Sequence, residues 1–299
     1  MIRYGRHVAS SASVPFSSLI ALSISHGLSC MQVFFGSPND IYKRRILEDQ
    51  DVAECIILCQ DFNFAFYTHF PYTMKLVAKQ TVGKLKGLQE ELDRIAPFKG
   101  RVVIHPNSSP CCCSLTNRDS LVECHEKKFT LQSRELARIL AANLELLKFP
   151  PHDYPLLLEP PAGEGKKFGW SFEHMEMIVK ECGHLPVGFC LDTCHVFCSG
   201  VCKFDSKKNV NEFFAKLQEI NVLERVKAIH FNDSQHEFGE MKDRHAPIGE
   251  GYIWNNPDHA SGLVALFRWC YLYNIDVICE VGTDDDLFFT KLLIDKVSA

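Results

Sequence analysis

No apolar stretch in this 299-residue sequence approaches the ~20 residues needed to cross a bilayer, which removes a membrane-spanning helix from consideration. The opening residues, Met1-Ile2-Arg3-Tyr4-Gly5-Arg6-His7, lack the apolar core of a secretion signal. They read instead as a first strand, so an intracellular protein of cytoplasm or nucleus is expected, neither secreted nor membrane-bound. Low-complexity linkers and sharp changes of composition are missing too, which leaves one domain over residues 1–299 as the expectation. Excess positive charge is also lacking. The formal charge of −5 argues against a nucleic-acid binder that relies on a basic surface. It does not exclude binding through bound cations, because three divalent ions would reverse the sign where a phosphate must arrive.

Cysteine, by contrast, is plentiful. Fourteen cysteines without a secretion signal imply reduced thiols. Cys190, Cys194, Cys198 and Cys202 repeat every four residues, a spacing that raises a cysteine metal site. The stretch begins inside an apolar run and passes through Gly200, so the four do not share one helical face, and a chance repeat is the better reading. Cys111-Cys112-Cys113 cannot easily bind one ion together and read as a tolerated cluster.

Short apolar runs punctuate the chain at residues 3–8, 30–35, 64–68, 101–105, 155–159, 187–192, 226–231 and 275–280. Runs of this length bounded by turn-prone residues predict buried parallel strands. Helical spacings lie between them: Leu85, Leu88, Leu92 and Ile95; Leu136, Leu140, Leu144 and Leu147; Phe213, Leu217 and Ile220; Leu263, Leu266, Phe267 and Cys270. Eight alternations predict an α/β protein, a closed (β/α)8 TIM barrel. A doubly wound open sheet is the alternative, and it would gather ligands at one switch point. The segment 107–129 shows no clear period and is expected as a long loop inserted over the barrel mouth.

Six of the runs end in a potential metal ligand: His69, His105, Glu159, Asp192, His230 and Glu280. Strands of a parallel barrel aim such residues at one place, the C-terminal mouth. His195 follows Asp192 by three residues, and Asp243 and His245 flank Arg244. A lone histidine at a strand end is usually just hydrogen-bonded, and an acid there often caps the next helix. Nine such residues together exceed the need of one ion and suit two or three, with a bridging carboxylate. Imidazole with carboxylate favours Zn2+, with Mn2+ an alternative where oxygen ligands dominate. The remaining His26, His125, His152, His174, His184, His236 and His259 read as surface or helix-end residues. His7 ends the first strand at the same mouth, where it could support a ligand.

These residues sit in longer motifs: Gly5-Arg6-His7-Val8-Ala9, Gln32-Val33-Phe34-Phe35-Gly36-Ser37-Pro38, Leu157-Leu158-Glu159-Pro160-Pro161-Ala162-Gly163-Glu164-Gly165, Leu191-Asp192-Thr193-Cys194-His195, His230-Phe231-Asn232-Asp233-Ser234, and Asp243-Arg244-His245 followed by Ile248-Gly249-Glu250-Gly251-Tyr252-Ile253. In this order, and nearly end to end, they resemble the endonuclease IV family, the zinc-dependent apurinic/apyrimidinic endonucleases. The resemblance implies a divergent member, a monomer acting on double-stranded DNA that contains abasic sites. It implies hydrolysis of the phosphodiester bond 5′ to the lesion, leaving a 3′-hydroxyl and a 5′-deoxyribose phosphate, with 3′-end cleaning and exonuclease action as further family-like activities. Three Zn2+ ions are implied, with Mn2+ an alternative at one position: one held by His69, His105 and Glu159, one by Glu159, Asp192, His230 and Glu280, one by His195, Asp243 and His245. Glu159, Asp192 and Glu280 would be catalytic through these ions, Glu159 as the bridge, with a metal-held hydroxide as nucleophile.

The resemblance also implies DNA contacts from Tyr72, Gly36, Ser37 and Asn39. Asn39 stands where the family carries a DNA-inserting arginine, for which Arg44 or Arg45 could compensate. Lys127, Lys128 and Arg118 could reach phosphates from the 107–129 loop. Asn107 stands for a family glycine, Pro160-Pro161 for Asn-Thr beside the bridging Glu159, and Trp254 for a glycine. Other functions remain to be weighed: a two-metal sugar isomerase or epimerase of the xylose-isomerase type, which would not need the His195, Asp243 and His245 group, and a non-catalytic lesion-binding barrel.

Overall fold

The computed structural model describes residues 2–298 apart from 12, 42–44, 79, 81, 107–121 and 282–283, and it gives no side-chain detail at 122–131, 166, 284–286, 288 and 298. The strands in chain order are β1 (Tyr4–His7), β2 (Cys30–Val33), β3 (Ala65–His69), β4 (Arg101–Ile104), β5 (Leu156–Leu158), β6 (Val187–Asp192), β7 (Val226–His230), β8 (Asp233–Ser234), β9 (His245–Ala246) and β10 (Asp276–Cys279). Strands β1 to β7 and β10 close into a barrel in the order β1-β10-β7-β6-β5-β4-β3-β2, with every neighbouring pair parallel. The short β8 and β9 pair antiparallel above it. Each expected run overlaps a barrel strand, with the ends shifted by a residue or more in most cases, so the TIM barrel is borne out and the open sheet is not.

Burial explains the apolar strands. Cys30, Tyr67, Val103, Leu157, Cys190, Ala228 and Ile278 pack together as one inner cluster, the filled interior of a small barrel. A larger cluster lies between the strands and the outer helices α1 (Phe16–Ser25), α2 (Asp49–Asp61), α3 (Val82–Ile95), α4 (Val122–Leu144), α5 (Phe172–Cys182), α6 (Thr193–Cys198), α7 (Lys207–Glu219), α8 (Ala260–Tyr273) and α9 (Asp284–Ser298). Leu85, Leu88, Leu92 and Ile95 are all buried on α3, as their spacing requires. No helix among the described residues is long and apolar enough to cross a membrane.

One expectation is corrected and one is narrowed. The segment 107–129 is not loop throughout, because α4 starts at Val122. Its opening, Val122-Glu-Cys-His-Glu-Lys-Lys-Phe129, is rich in strong helix formers but carries too few apolar residues to show a period. Residues 107–121, with Arg118 and the cysteine triplet, lie outside the described residues, as do the side chains of Lys127 and Lys128. Of the two readings offered for His174, surface or helix end, the structure keeps the second. His174 is buried on the first turn of α5, where Nε2 lies 3.0 Å from Ser133 Oγ and Nδ1 accepts from Gly169 N.

Candidate metal centre

Parallel pairing sets the neighbours at the C-terminal mouth. Asp192 closes β6 directly opposite His230 at the end of β7, and His69 closes β3 opposite Val103 on β4. Asp192 also starts the next element. Its Oδ1 accepts from His195 N at 2.9 Å, capping α6 and fixing His195 on the first turn. The three-residue spacing of Asp-Thr-Cys-His is therefore the spacing of a helix cap. Thr193 donates to Asn232 O at 2.6 Å and ties this turn to the end of β7.

Asp233 orders the far side of the mouth. Its buried carboxylate accepts from the backbone N–H groups of Ser234, Gly249, Gly251, Ile253 and Trp254 at 2.7–3.3 Å. A Cβ on Gly251 would stand 2.3 Å from Ser234 O, so only glycine lets that loop close on the carboxylate. The same loop follows the β8–β9 ribbon, which carries His245 and lies next to Asp243. Trp254 is integrated here: Nε1 donates to Asn232 O at 3.1 Å and the ring packs against Phe204 and Phe231.

The nine residues named from the sequence come together. The ligand atoms of His69, His105 and Glu159 lie within 4.8 Å of one another, as do those of Glu159, Asp192, His230 and Glu280, and those of His195, Asp243 and His245. Glu159 belongs to two groups. Its Oε2 lies 2.9 Å from His69 Nε2 and 3.2 Å from His105 Nε2, and its Oε1 lies 2.8 Å from His230 Nδ1. Asp243 Oδ1 is 3.1 Å from His195 Nε2 and 3.3 Å from His245 Nε2.

In four of the five histidines the outward ring nitrogen is anchored, which decides the inward one. Nδ1 of His69 donates to Phe70 O at 2.9 Å, Nδ1 of His105 to Glu159 O at 3.2 Å, and Nδ1 of His195 to Pro160 O at 3.0 Å. Those bonds fix the tautomer and leave Nε2 as a lone-pair donor toward the cluster. In His230 the roles exchange: Nε2 donates to Gln32 Oε1 at 2.9 Å, and Nδ1 faces the carboxylates. The prolines at 160 and 161 therefore leave the support of His195 intact, because a carbonyl and not an N–H does that work. Nε2 of His195 and of His245 are buried and have no hydrogen-bond partner among the described protein groups. Two imidazole nitrogens that crowd one carboxylate oxygen at 3.1 and 3.3 Å without a hydrogen bond fit a divalent cation.

Electrostatics point the same way. Burial alone would raise the pKa of each acid, yet His105 and His230 hold the Glu159 carboxyl well below its usual range. Burial likewise works against Glu280, but His230 and His245 pull it down to about 2. Burial keeps His105 down at about 4. It also acts to lower His245, but Asp192 and Asp243 lift that ring to about 9. Four carboxylates gathered in a largely buried site need positive charge among them, and divalent cations supply it densely.

Sequence reasoning missed two supporting amides. Buried Gln32 donates from Nε2 to Glu280 Oε1 at 3.0 Å while holding His230, and the same Nε2 is 3.1 Å from His7 Nδ1. His7 thus stands behind the amide that supports two of the candidate ligands, one contact further out than its strand end suggested. Asn232 donates from Nδ2 to Asp192 Oδ2 at 2.6 Å and to Glu280 Oε2 at 3.1 Å. The available signal was an amide inside an otherwise apolar strand, Cys30-Met-Gln-Val33, and an amide two residues past His230.

Above the cluster lies a cleft of about 330 Å³ lined by Tyr72, His105, His195, Arg244, His245 and Val281 among others. Tyr72 is 44% exposed at this rim, with its ring 5.2 Å from that of His69 and 5.7 Å from those of His105 and Phe34. Its backbone N–H donates to Pro38 O at 3.0 Å, which ties it to the loop of Gly36, Ser37 and Asn39. Ser37 and Asn39 are exposed there, and Asn39 N donates to Ser37 Oγ at 3.2 Å. Arg45, named as able to compensate for the missing arginine, lies over the Phe16 ring at 4.4 Å and donates to Ser11 O, engaged with the chain itself. Arg44 lies outside the described residues. The repeated cysteines do not converge as a set among the described residues. Cys194 alone comes within ligand range, of Asp192 and His245.

Residues 20–265 match the model of the xylose isomerase-like TIM barrel family. A protein named probable endonuclease 4 from Aster yellows witches'-broom phytoplasma (strain AYWB) is 29% identical over 265 residues, covering 85% of this chain and 82% of its own. The crystal structure of endonuclease IV from Thermus thermophilus superposes with a TM-score of 0.74 at 24% identity, covering 99% of each chain. A D-tagatose 3-epimerase-like protein superposes with a TM-score of 0.62 at 15% identity, covering 99% of this chain and 98% of its own. Both structures share the fold, and the motif resemblance read from the sequence is borne out by the named relatives.

Proposed function

The chain belongs to the xylose isomerase-like TIM barrel family, and within it we propose that this protein is a DNA-repair hydrolase, an apurinic/apyrimidinic endonuclease that works with three zinc ions on duplex DNA inside the cell. It cleaves the phosphodiester bond 5′ to an abasic site and leaves a 3′-hydroxyl. The observation that carries this reading is the third ligand group, His195, Asp243 and His245, standing beside the four-residue group of Glu159, Asp192, His230 and Glu280. A two-metal sugar isomerase has no use for it. The names of the relatives, probable endonuclease 4, support the same choice.

Zinc bound by these residues would supply Lewis acidity and a nucleophile at neutral pH. The chain's own part is to hold the ligands in place. Phe70, Glu159 and Pro160 carbonyls orient three imidazoles, Gln32 orients the fourth, and Asn232 spans Asp192 and Glu280. Glu159 sets the distance between its two groups. Tyr72 stands at the cleft rim, where an aromatic side chain can stack in the gap left by a missing base. The test is incision of a duplex carrying one abasic site by zinc-loaded protein. Cleavage 5′ to the lesion with a 3′-hydroxyl product is expected; no incision of that duplex, or turnover of a ketose instead, would overturn the reading.

A further inference from the structure

The opposite, N-terminal mouth of the barrel holds a second cavity, of about 570 Å³. Arg3, Lys99, Arg101, His152 and Asp153 contribute its polar wall, and Phe64 is among its apolar residues. Arg101 is the first residue of β4, so His105 at the catalytic mouth lies four residues further on, about 13 Å at the rise of a strand. The two sites share the barrel and no side chain.

Positive charge in this cavity is unequally paired. Arg3 is satisfied: Nη1 meets Asp276 Oδ2 at 3.2 Å, and Nε and Nη2 donate to Asn63 O and Oδ1 at 2.9 and 2.8 Å. Tyr67 donates to the same Asp276 oxygen at 2.6 Å. Arg101 has no such partner. Among the described residues it makes no ion pair, its guanidinium lies 5.9 Å from the Tyr67 ring centre, and its Nε is buried without a hydrogen-bond acceptor. His152 Nε2, in the same wall, is also buried and unpaired. Lys99 is exposed beside them, and Asp153 is the carboxylate of the wall outside the Arg3 pair.

The basic groups also repel one another. After burial, Arg101 and Lys99 push the pKa of His152 down. Burial and then Arg101 do the same to Lys227 nearby. Like charges held together with too little counter-charge create a potential that an anion relieves, and an unpaired buried donor is stabilised by an acceptor brought from outside.

We propose that this cavity is a binding site for a tetrahedral oxyanion, such as the phosphate of a small phosphomonoester, held by Arg101, Lys99 and His152. A guanidinium suits an oxyanion because its fork presents paired donors. The volume exceeds the need of a free ion and falls in the range of small-molecule sites, so an ester group could lie against the Phe64 side.

The test measures binding of two probes, sulfate and AMP, to the zinc-loaded protein by calorimetry at fixed ionic strength. Arg101→Met and Lys99→Asn are the variants; asparagine tolerates the left-handed backbone of position 99, where φ is 53°. Each probe should bind the wild type at a saturable site that either variant weakens about 10-fold or more. Lys99→Asn keeps the test valid should Arg101→Met fail to fold. AMP binding tighter than sulfate would assign the site to a phosphomonoester, and equal affinities would assign it to a free anion. Incision of abasic DNA should be unchanged in both variants. Binding of both probes unaffected by either substitution, or no saturable binding at all, would overturn the proposal.

Discussion

Glu159 is the residue on which two ligand groups depend, because both of its oxygens already face imidazole nitrogens within 3.2 Å. Glu159→Gln keeps the shape and removes the charge, and an amide is a poor bridge between cations. Incision should fall by at least about 100-fold, beyond the usual cost of losing an outer hydrogen-bond partner, while circular dichroism shows the fold retained; wild-type rates would remove Glu159 from the bridging role. Gln32→Ala should lower zinc affinity about 10- to 100-fold, read by competition with a chelating dye. Equal affinity would mean that the Gln32 bonds to His230 and Glu280 are incidental. Tyr72→Ala should weaken binding of abasic DNA by ~1–3 kcal/mol, the scale of one stacking contact, at constant zinc content; unchanged affinity would make Tyr72 a packing residue. Six of the nine ligand candidates were legible because strand ends of a parallel barrel converge whatever the intervening sequence; His195, Asp243 and His245 were legible only from the motifs that follow those strands. Gln32, Asn232 and Asp233 were not, because an amide or acid that serves another side chain or a loop has no spacing of its own.

At the scale of elements, one carboxylate takes four backbone N–H groups of the loop 249–254. Gly251→Ala would drive a Cβ to within 2.3 Å of Ser234 O, so the loop must shift or Asp233 must give up bonds. A stability loss of ~1–3 kcal/mol is expected, with a selective loss of metal from the His195, Asp243 and His245 group because the adjoining ribbon moves with the loop. Denaturant melts together with metal counting check both parts, and an unchanged melt would contradict the close packing. The barrel strands were readable from apolar runs because both their faces are covered. The start of α4 at Val122 was not, since a charged first turn has helix propensity but little amphipathic period. His174 is the helix-end residue the reading allowed, but nothing in its own sequence shows that the packing of α5 against α4 buries it beside Ser133.

On the proposed reading, bound metal at the C-terminal mouth is what reconciles a net charge of −5 with a polyanionic substrate. That is a statement about metal, so metal content tests it most directly. Protein purified without chelator should contain about three zinc ions per chain by elemental analysis, one for each of the three ligand groups. Dialysis against a chelator should abolish incision, and added Zn2+ should restore it. A content near one zinc per chain in fully active protein would contradict the trinuclear centre and with it the account of how this barrel cuts DNA.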